Sequence, residues 1–155
     1  MENEERVAST ADNLRLKLMA AAHHEAGHLV IAAVSGLPLR PEGLSIDPVG
    51  EGLACYCKKP DETDASRERV ILATFSGWYA QKRFCEERSI DFPEGAYLIS
   101  STDWWEARDV LCKLSDEYLS NRSFPGVQEE LERLTASHVE QHWHAIEILA
   151  HAMLI

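Results

Sequence analysis

Apolar residues recur at helical spacing from about Ala11 to Ser35, in a stretch rich in Ala and Leu, and predict a first helix. Asp12 or Asn13 is placed to cap its start, and Gly36 with Pro38 to end it. Residues 1–10 are charged and without a period, as expected of a disordered, frayed lead-in. The pattern then shortens. Leu44-Ser45-Ile46-Asp47 and Leu53-Ala54-Cys55-Tyr56-Cys57 are strand-like runs around Pro48-Val49-Gly50-Glu51-Gly52, which predicts a small hairpin. After a loop over Pro60 to Thr63, helical spacing returns from about Ala65 to Glu87, with Val70, Leu72, Ala73, Phe75, Ala80 and Phe84 on its buried side. Residues 88–100, with Pro93 and Gly95, form a connection. A third helix is expected from near Ser101 to Asn121, and a fourth from about Gln128 to Met153, after a break at Pro125-Gly126. The sum is one domain over residues 1–155, α+β and mainly α-helical, with about four helices and a minor sheet.

Composition narrows the partners. A chain of 155 residues, 45% hydrophobic and 26% charged, is long enough to bury a core without disulfide or metal staples. A formal net charge of -11 argues against a nucleic-acid binder, which needs clustered Lys and Arg, and against docking on anionic membranes. Met1-Glu2-Asn3-Glu4-Glu5-Arg6 is polar and acidic, unlike a signal or transit peptide. The longest apolar run, Leu29 to Val34, falls far short of the roughly 20 residues that span a bilayer. Cys55, Cys57, Cys85 and Cys112 form no CxxC pair, and are expected to be reduced thiols in a cytoplasmic protein. Cys55 and Cys57 share one face of a strand, where packing is the expected role.

The chemistry lies in His24-Glu25-Ala26-Gly27-His28. On a helix, His24 and His28 are i and i+4, so both imidazoles project from one face and can take a single ion. Glu25 sits beside that face, able to reach a metal-activated water without being a ligand. Zinc lowers the pKa of such a water towards about 7 and polarises a peptide carbonyl, while Glu25 takes the proton and returns it to the leaving amine. The bland alternative is two solvated histidines on a helix surface. Against it stand the apolar flanks, the small Ala26 and Gly27, and the cost of about 1 kcal/mol for a helical glycine, which makes sense if something approaches the backbone there. His23 lies about 100° around the helix from His24 and cannot join both ligands on one ion; it is expected to be a polar neighbour.

A catalytic zinc needs a third protein ligand and an open position. The metzincin continuation requires Gly at 31 and His at 34, where this chain has Ile31 and Val34. A thermolysin-like Glu falls near Glu51, in a Pro/Gly turn rather than a helix. Glu86, Glu87, Asp91, Asp103, Glu106 and Asp109 remain. Asp103 with Glu106 three residues on has the form of a capping box, and helix capping competes with metal ligation for it.

Taken in order, five segments resemble the peptidase domain of the FtsH family of ATP-dependent zinc proteases. They are Ala22-His23-His24-Glu25-Ala26-Gly27-His28-Leu29-Val30, Leu44-Ser45-Ile46-Asp47-Pro48-Val49-Gly50 through Gly52-Leu53-Ala54, Phe75-Ser76-Gly77-Trp78-Tyr79-Ala80-Gln81, Ser101-Thr102-Asp103 with Ala107, and His142-Trp143-His144-Ala145-Ile146-Glu147-Ile148-Leu149-Ala150. The segments lie between Ala22 and Ala150, and the resemblance extends over about residues 12–155. The resemblance implies a mainly helical fold, Zn2+ held by His24, His28 and Asp103, Glu25 as catalytic base, and a peptide substrate along an edge strand beside the zinc. Departures are equally specific. No GxxxxGK[ST] is present, so neither ATP binding nor processive unfolding is expected. Trp78 and Gln81 replace the family's Arg and Glu, and Thr102 its Asn. Loss of that Glu removes a rival ligand and favours Asp103.

His138 and His142 are also i and i+4, but no acidic residue between them is placed as a base; with His144 and His151 they are expected on helix surfaces. Trp104 and Trp105 point about 100° apart, so at most one is expected to be fully buried. The function expected is an ATP-independent zinc metalloendopeptidase acting on flexible or unfolded polypeptides. The alternatives are a zinc-bearing relic that binds peptide without cutting, and a metal-free helical interaction domain.

Overall fold

The computed structural model describes residues 2–46, 52–91 and 102–154. It is mainly helical, with six helices among the described residues and a two-stranded antiparallel sheet. Residues 48–51 of the expected turn and 92–100 of the expected connection lie outside the described residues.

Helix α1 runs Glu2–Val34, so it begins well before the expected Ala11. Its end follows from one residue. Gly36 adopts φ +79°, which lets Leu37 N–H reach Ala32 O at 2.9 Å and Gly36 N–H reach Ala33 O at 3.1 Å. Those paired bonds satisfy the last helical carbonyls as a Schellman cap does. Strand β1, Leu39–Ile46, then pairs with β2, Gly52–Tyr56. The register shifts between Leu39 and Leu44, where Pro41 has no N–H to offer and Gly43 takes φ +65°.

Helix α2, Asp64–Glu87, is the centre of the domain; Thr63 caps it by accepting from Ser66 N–H at 3.2 Å. Every residue from Val70 to Trp78 is buried, because α1 and the later helices Thr102–Leu111 and Phe124–Gln141 all pack on it. Its contact with α1 is unusually close. A Cβ on Gly27 would lie 2.6 Å from Ala80 Cβ and 2.8 Å from Ser76 O, so only glycine admits this spacing. Ser76 Oγ donates across it to Gly27 O at 3.1 Å.

The expected third helix divides into α3, Thr102–Leu111, and α4, Asp116–Leu119. Ser115 causes the division: its hydroxyl accepts from Tyr118 N–H at 3.1 Å while its own N–H goes to Asp64 Oδ1 at 3.0 Å instead of continuing α3. The expected fourth helix also divides, into α5, Phe124–Gln141, and α6, Trp143–Ala152. Pro125-Gly126 opens α5 rather than breaking the chain, because first-turn N–H groups need no helical partner and Ser123 caps the end. The break at His142 follows from the apolar spacing. Val127, Leu131, Thr135, Val139 and Trp143 are all buried at intervals of four, and such a stripe drifts about 40° per step around a straight helix. Restarting the helix at Trp143 returns Ile146 and Ala150 to the core.

Ile31, Ile71, Phe84 and Ile146 are essentially inaccessible, each contributing on the order of 1.5–3 kcal/mol of hydrophobic stabilisation. His23 stays outside the group formed by His24, His28 and Asp103 and lies in the core. It is 1% exposed, stacked on Phe84 at 4.3 Å and donating to Met19 O at 2.6 Å. Among the described residues, no helix is long and apolar enough to cross a membrane.

Candidate metal centre

The spacing of His24 and His28 places both on the side of α1 that faces α2, and both are buried, at 7% and 4% exposure. Their rings meet edge to face at 4.7 Å. What brings them into register is α2. His28 Nδ1 donates to Ala73 O at 2.8 Å, an oxygen that can only accept, and His24 Nδ1 donates to Gln81 Oε1 at 3.0 Å. With each Nδ1 carrying the proton, each Nε2 presents a lone pair. Gly77, between those two anchors on α2, makes room for both: a Cβ there would lie 2.4 Å from His28 Nε2 and 2.8 Å from His24 Nε2.

Helix α3 supplies the third group. Asp103 Oδ2 lies 3.0 Å from His24 Nε2 and 3.0 Å from His28 Nε2, and the two Nε2 atoms are 3.1 Å apart. Asp103 belongs to the first turn of α3, and Glu106 reaches Lys58 Nζ at 3.1 Å, so Glu106 is engaged across the fold with the segment after β2. Among the described residues, His24, His28 and Asp103 are the group of ligating side chains whose atoms converge, and they can hold a metal ion.

Three acceptors at mutual hydrogen-bonding distance require a positive charge among them. A proton can meet that need along one edge only. Burial would lower the His28 pKa, but the facing Asp103 charge overrides it and raises it. Burial would likewise raise Asp103, but the two imidazoles hold its carboxyl far below the usual carboxylate range. A metal ion satisfies all three edges at once. Three tetrahedral ligands about 2.0–2.1 Å from one ion are about 3.3 Å from one another, close to the triangle seen here.

Glu25 is half-buried on the neighbouring face of α1 and lies against β2. A Cβ on Gly52 would fall 2.3 Å from Glu25 Cγ and 2.9 Å from Oε1, so glycine at the start of β2 leaves the carboxylate its place. Tyr56, four residues further along β2, packs its ring 6.1 Å from that of His28 and bonds Thr74 Oγ1 at 3.3 Å.

The other sequence candidates go elsewhere. Glu87 pairs with Arg83, Asp109 with Lys113, and Glu86 and Asp91 are exposed; Glu51 is outside the described residues. His138 and His142 stack with ring centroids 6.4 Å apart, both half-buried rather than on an open surface, while His144 and His151 are exposed. Trp104 is half-buried and Trp105 is 58% exposed, so neither is fully buried. Cys57 is half-buried, and the side chain of Cys55 is not described. Gly52 and the acceptor Ala73 O are parts that sequence patterns did not single out, and Gln81, noted there only as replacing a rival ligand, is the acceptor that holds His24. Comparison with protein-family models, with curated proteins and with solved structures finds no match.

Proposed function

We propose that this chain is a zinc-dependent metalloendopeptidase that hydrolyses peptide bonds of flexible or unfolded polypeptides, with His24, His28 and Asp103 as ligands and Glu25 as the base. The observation that carries it is the convergence of two Nε2 lone pairs and one carboxylate oxygen at 3.0–3.1 Å, each imidazole pre-set by an Nδ1–H bond. Three protein ligands leave a tetrahedral ion one position for water or substrate, as catalytic zinc sites do. A zinc ion there supplies Lewis acidity towards a peptide carbonyl and acidity to water. Glu25, adjacent in sequence but outside the ligand set, accepts the proton of the attacking water and delivers it to the departing amine. A purely structural site has no use for that carboxylate. The ordered resemblance of five segments to FtsH peptidase domains supports the same chemistry.

The test is metal analysis together with digestion of an unfolded protein. Wild type is expected to carry about one zinc per chain, and Glu25→Gln to keep it while hydrolysis falls at least about a hundredfold. Retention of zinc with no hydrolysis even in wild type would instead identify a non-catalytic, peptide-binding relic.

A further inference from the structure

We propose that Gln81 is the positioning residue of this centre, and that its neutral amide sets the balance between metal affinity and Lewis acidity. The inference rests on the zinc peptidase function proposed above. The two histidines are anchored by different means. His28 donates to a backbone carbonyl, Ala73 O, which no substitution removes; His24 donates to a side chain, Gln81 Oε1. One ligand is therefore held at its far nitrogen by an exchangeable side chain, 57 positions away on another helix.

The charge of that acceptor matters as much as its position. A histidine whose far nitrogen donates to a carboxylate becomes a more basic ligand. An amide oxygen fixes the same tautomer without adding charge. Asp103 is then the one anion among the ligating side chains, and the centre keeps more of the positive charge that polarises a substrate carbonyl. Gln81 thus holds His24 Nε2 aimed at the Asp103 and His28 atoms, and withholds the second negative charge.

Three proteins decide the matter: wild type, Gln81→Leu and Gln81→Glu. Zinc affinity is measured by competition with a chelator, and the His24 and His28 ring protons by nitrogen-resolved NMR of the metal-free protein. Gln81→Leu is expected to weaken zinc binding by about 10–100-fold and to abolish the protected His24 Nδ1–H resonance while that of His28 persists. Gln81→Glu is expected to bind zinc more tightly than wild type and yet cut peptides more slowly, an opposition that a merely structural role would not produce. Wild-type zinc affinity in Gln81→Leu overturns the inference and leaves the metal centre standing. If that variant does not fold, Gln81→Glu decides alone, and affinity no higher than wild type overturns it. Absence of zinc binding by wild type sinks the peptidase proposal itself, and this inference with it.

Discussion

Gly77 is the point at which metal binding and folding can be pulled apart. It lies inside α2, where replacing glycine by alanine ordinarily stabilises a helix by about 0.5–1 kcal/mol. Here the added Cβ would meet His28 Nε2 at 2.4 Å, His28 Cε1 at 2.6 Å and His24 Nε2 at 2.8 Å. Comfortable contacts between such atoms are about 3.5–4.0 Å, so the rings must give way by roughly 1 Å. They cannot rotate freely, because Ala73 O and Gln81 Oε1 hold their opposite edges. Crowding of this kind costs about 1–3 kcal/mol, which the helix gain partly offsets, so metal-free Gly77→Ala should range from neutral to about 2 kcal/mol less stable.

Zinc affinity should fall far more. Displacing both Nε2 atoms disturbs two of three ligands, and the loss should exceed the roughly 10–100-fold typical of losing one supporting hydrogen bond. Gly27→Ala is the contrasting change. Its Cβ would press on Ala80 Cβ and Ser76 O at 2.6 and 2.8 Å, forcing α1 and α2 apart. It should cost about 1–3 kcal/mol, lowering the melting temperature by about 2–12 °C even without metal. Thermal melts of chelator-treated protein and zinc titrations of the same samples read the two effects separately. Wild-type zinc affinity in Gly77→Ala would refute the crowding of both imidazoles against α2.

Two further outcomes are expected. Asp103→Asn keeps a capping-competent side chain but loses the anionic ligand, so zinc affinity should collapse with little change in metal-free helix content. Glu106→Gln should leave zinc affinity unchanged and cost at most about 1 kcal/mol, since its Lys58 partner is a largely exposed pair; equal zinc loss in both variants would undo the assignment. His23 gives a pH signature. Burial lowers its pKa below 6.5, so below that pH this side chain binds more protons in the unfolded chain and its contribution to stability falls as pH drops. His23→Leu removes that contribution while His28 and Asp103 stay common to both proteins, so the variant should gain relative to wild type between about pH 7 and pH 5 in urea denaturation. A difference independent of pH contradicts the buried, neutral imidazole.

What could be read from the sequence follows the range of the interaction behind it. His24, Glu25 and His28 are related by helical geometry within five residues, so the pairing of the two imidazoles on one helix face was visible before any fold was known. Asp103 was not visible in that way. It lies 79 positions from His24, and its neighbours offer a local explanation, the capping box, which the contact between Glu106 and Lys58 replaces. Only the ordered resemblance favoured it as a ligand. The helix divisions at Ser115 and His142 fall between: the cap residue and the four-residue apolar interval are both in the sequence, but Asp64 and the core decide that they interrupt rather than decorate a helix.

The glycines carry the least local and most informative signal. Gly27, Gly52 and Gly77 sit on α1, β2 and α2, and no rule of secondary structure relates them. In a helix, Gly27 and Gly77 are each unfavourable by themselves. Each is explained by a side chain or backbone that occupies the place of its missing Cβ: Ala80 and Ser76 at Gly27, Glu25 at Gly52, His24 and His28 at Gly77. Two of the three therefore make room directly for residues of the HExxH motif, and the third sets the helix spacing that lets α2 reach them. A stretch selected only for a stable α1–α2 interface needs Gly27 but has no use for glycine at 52 or 77. Their joint presence argues that the space around His24, Glu25 and His28, rather than the packing of the core, dictated these positions.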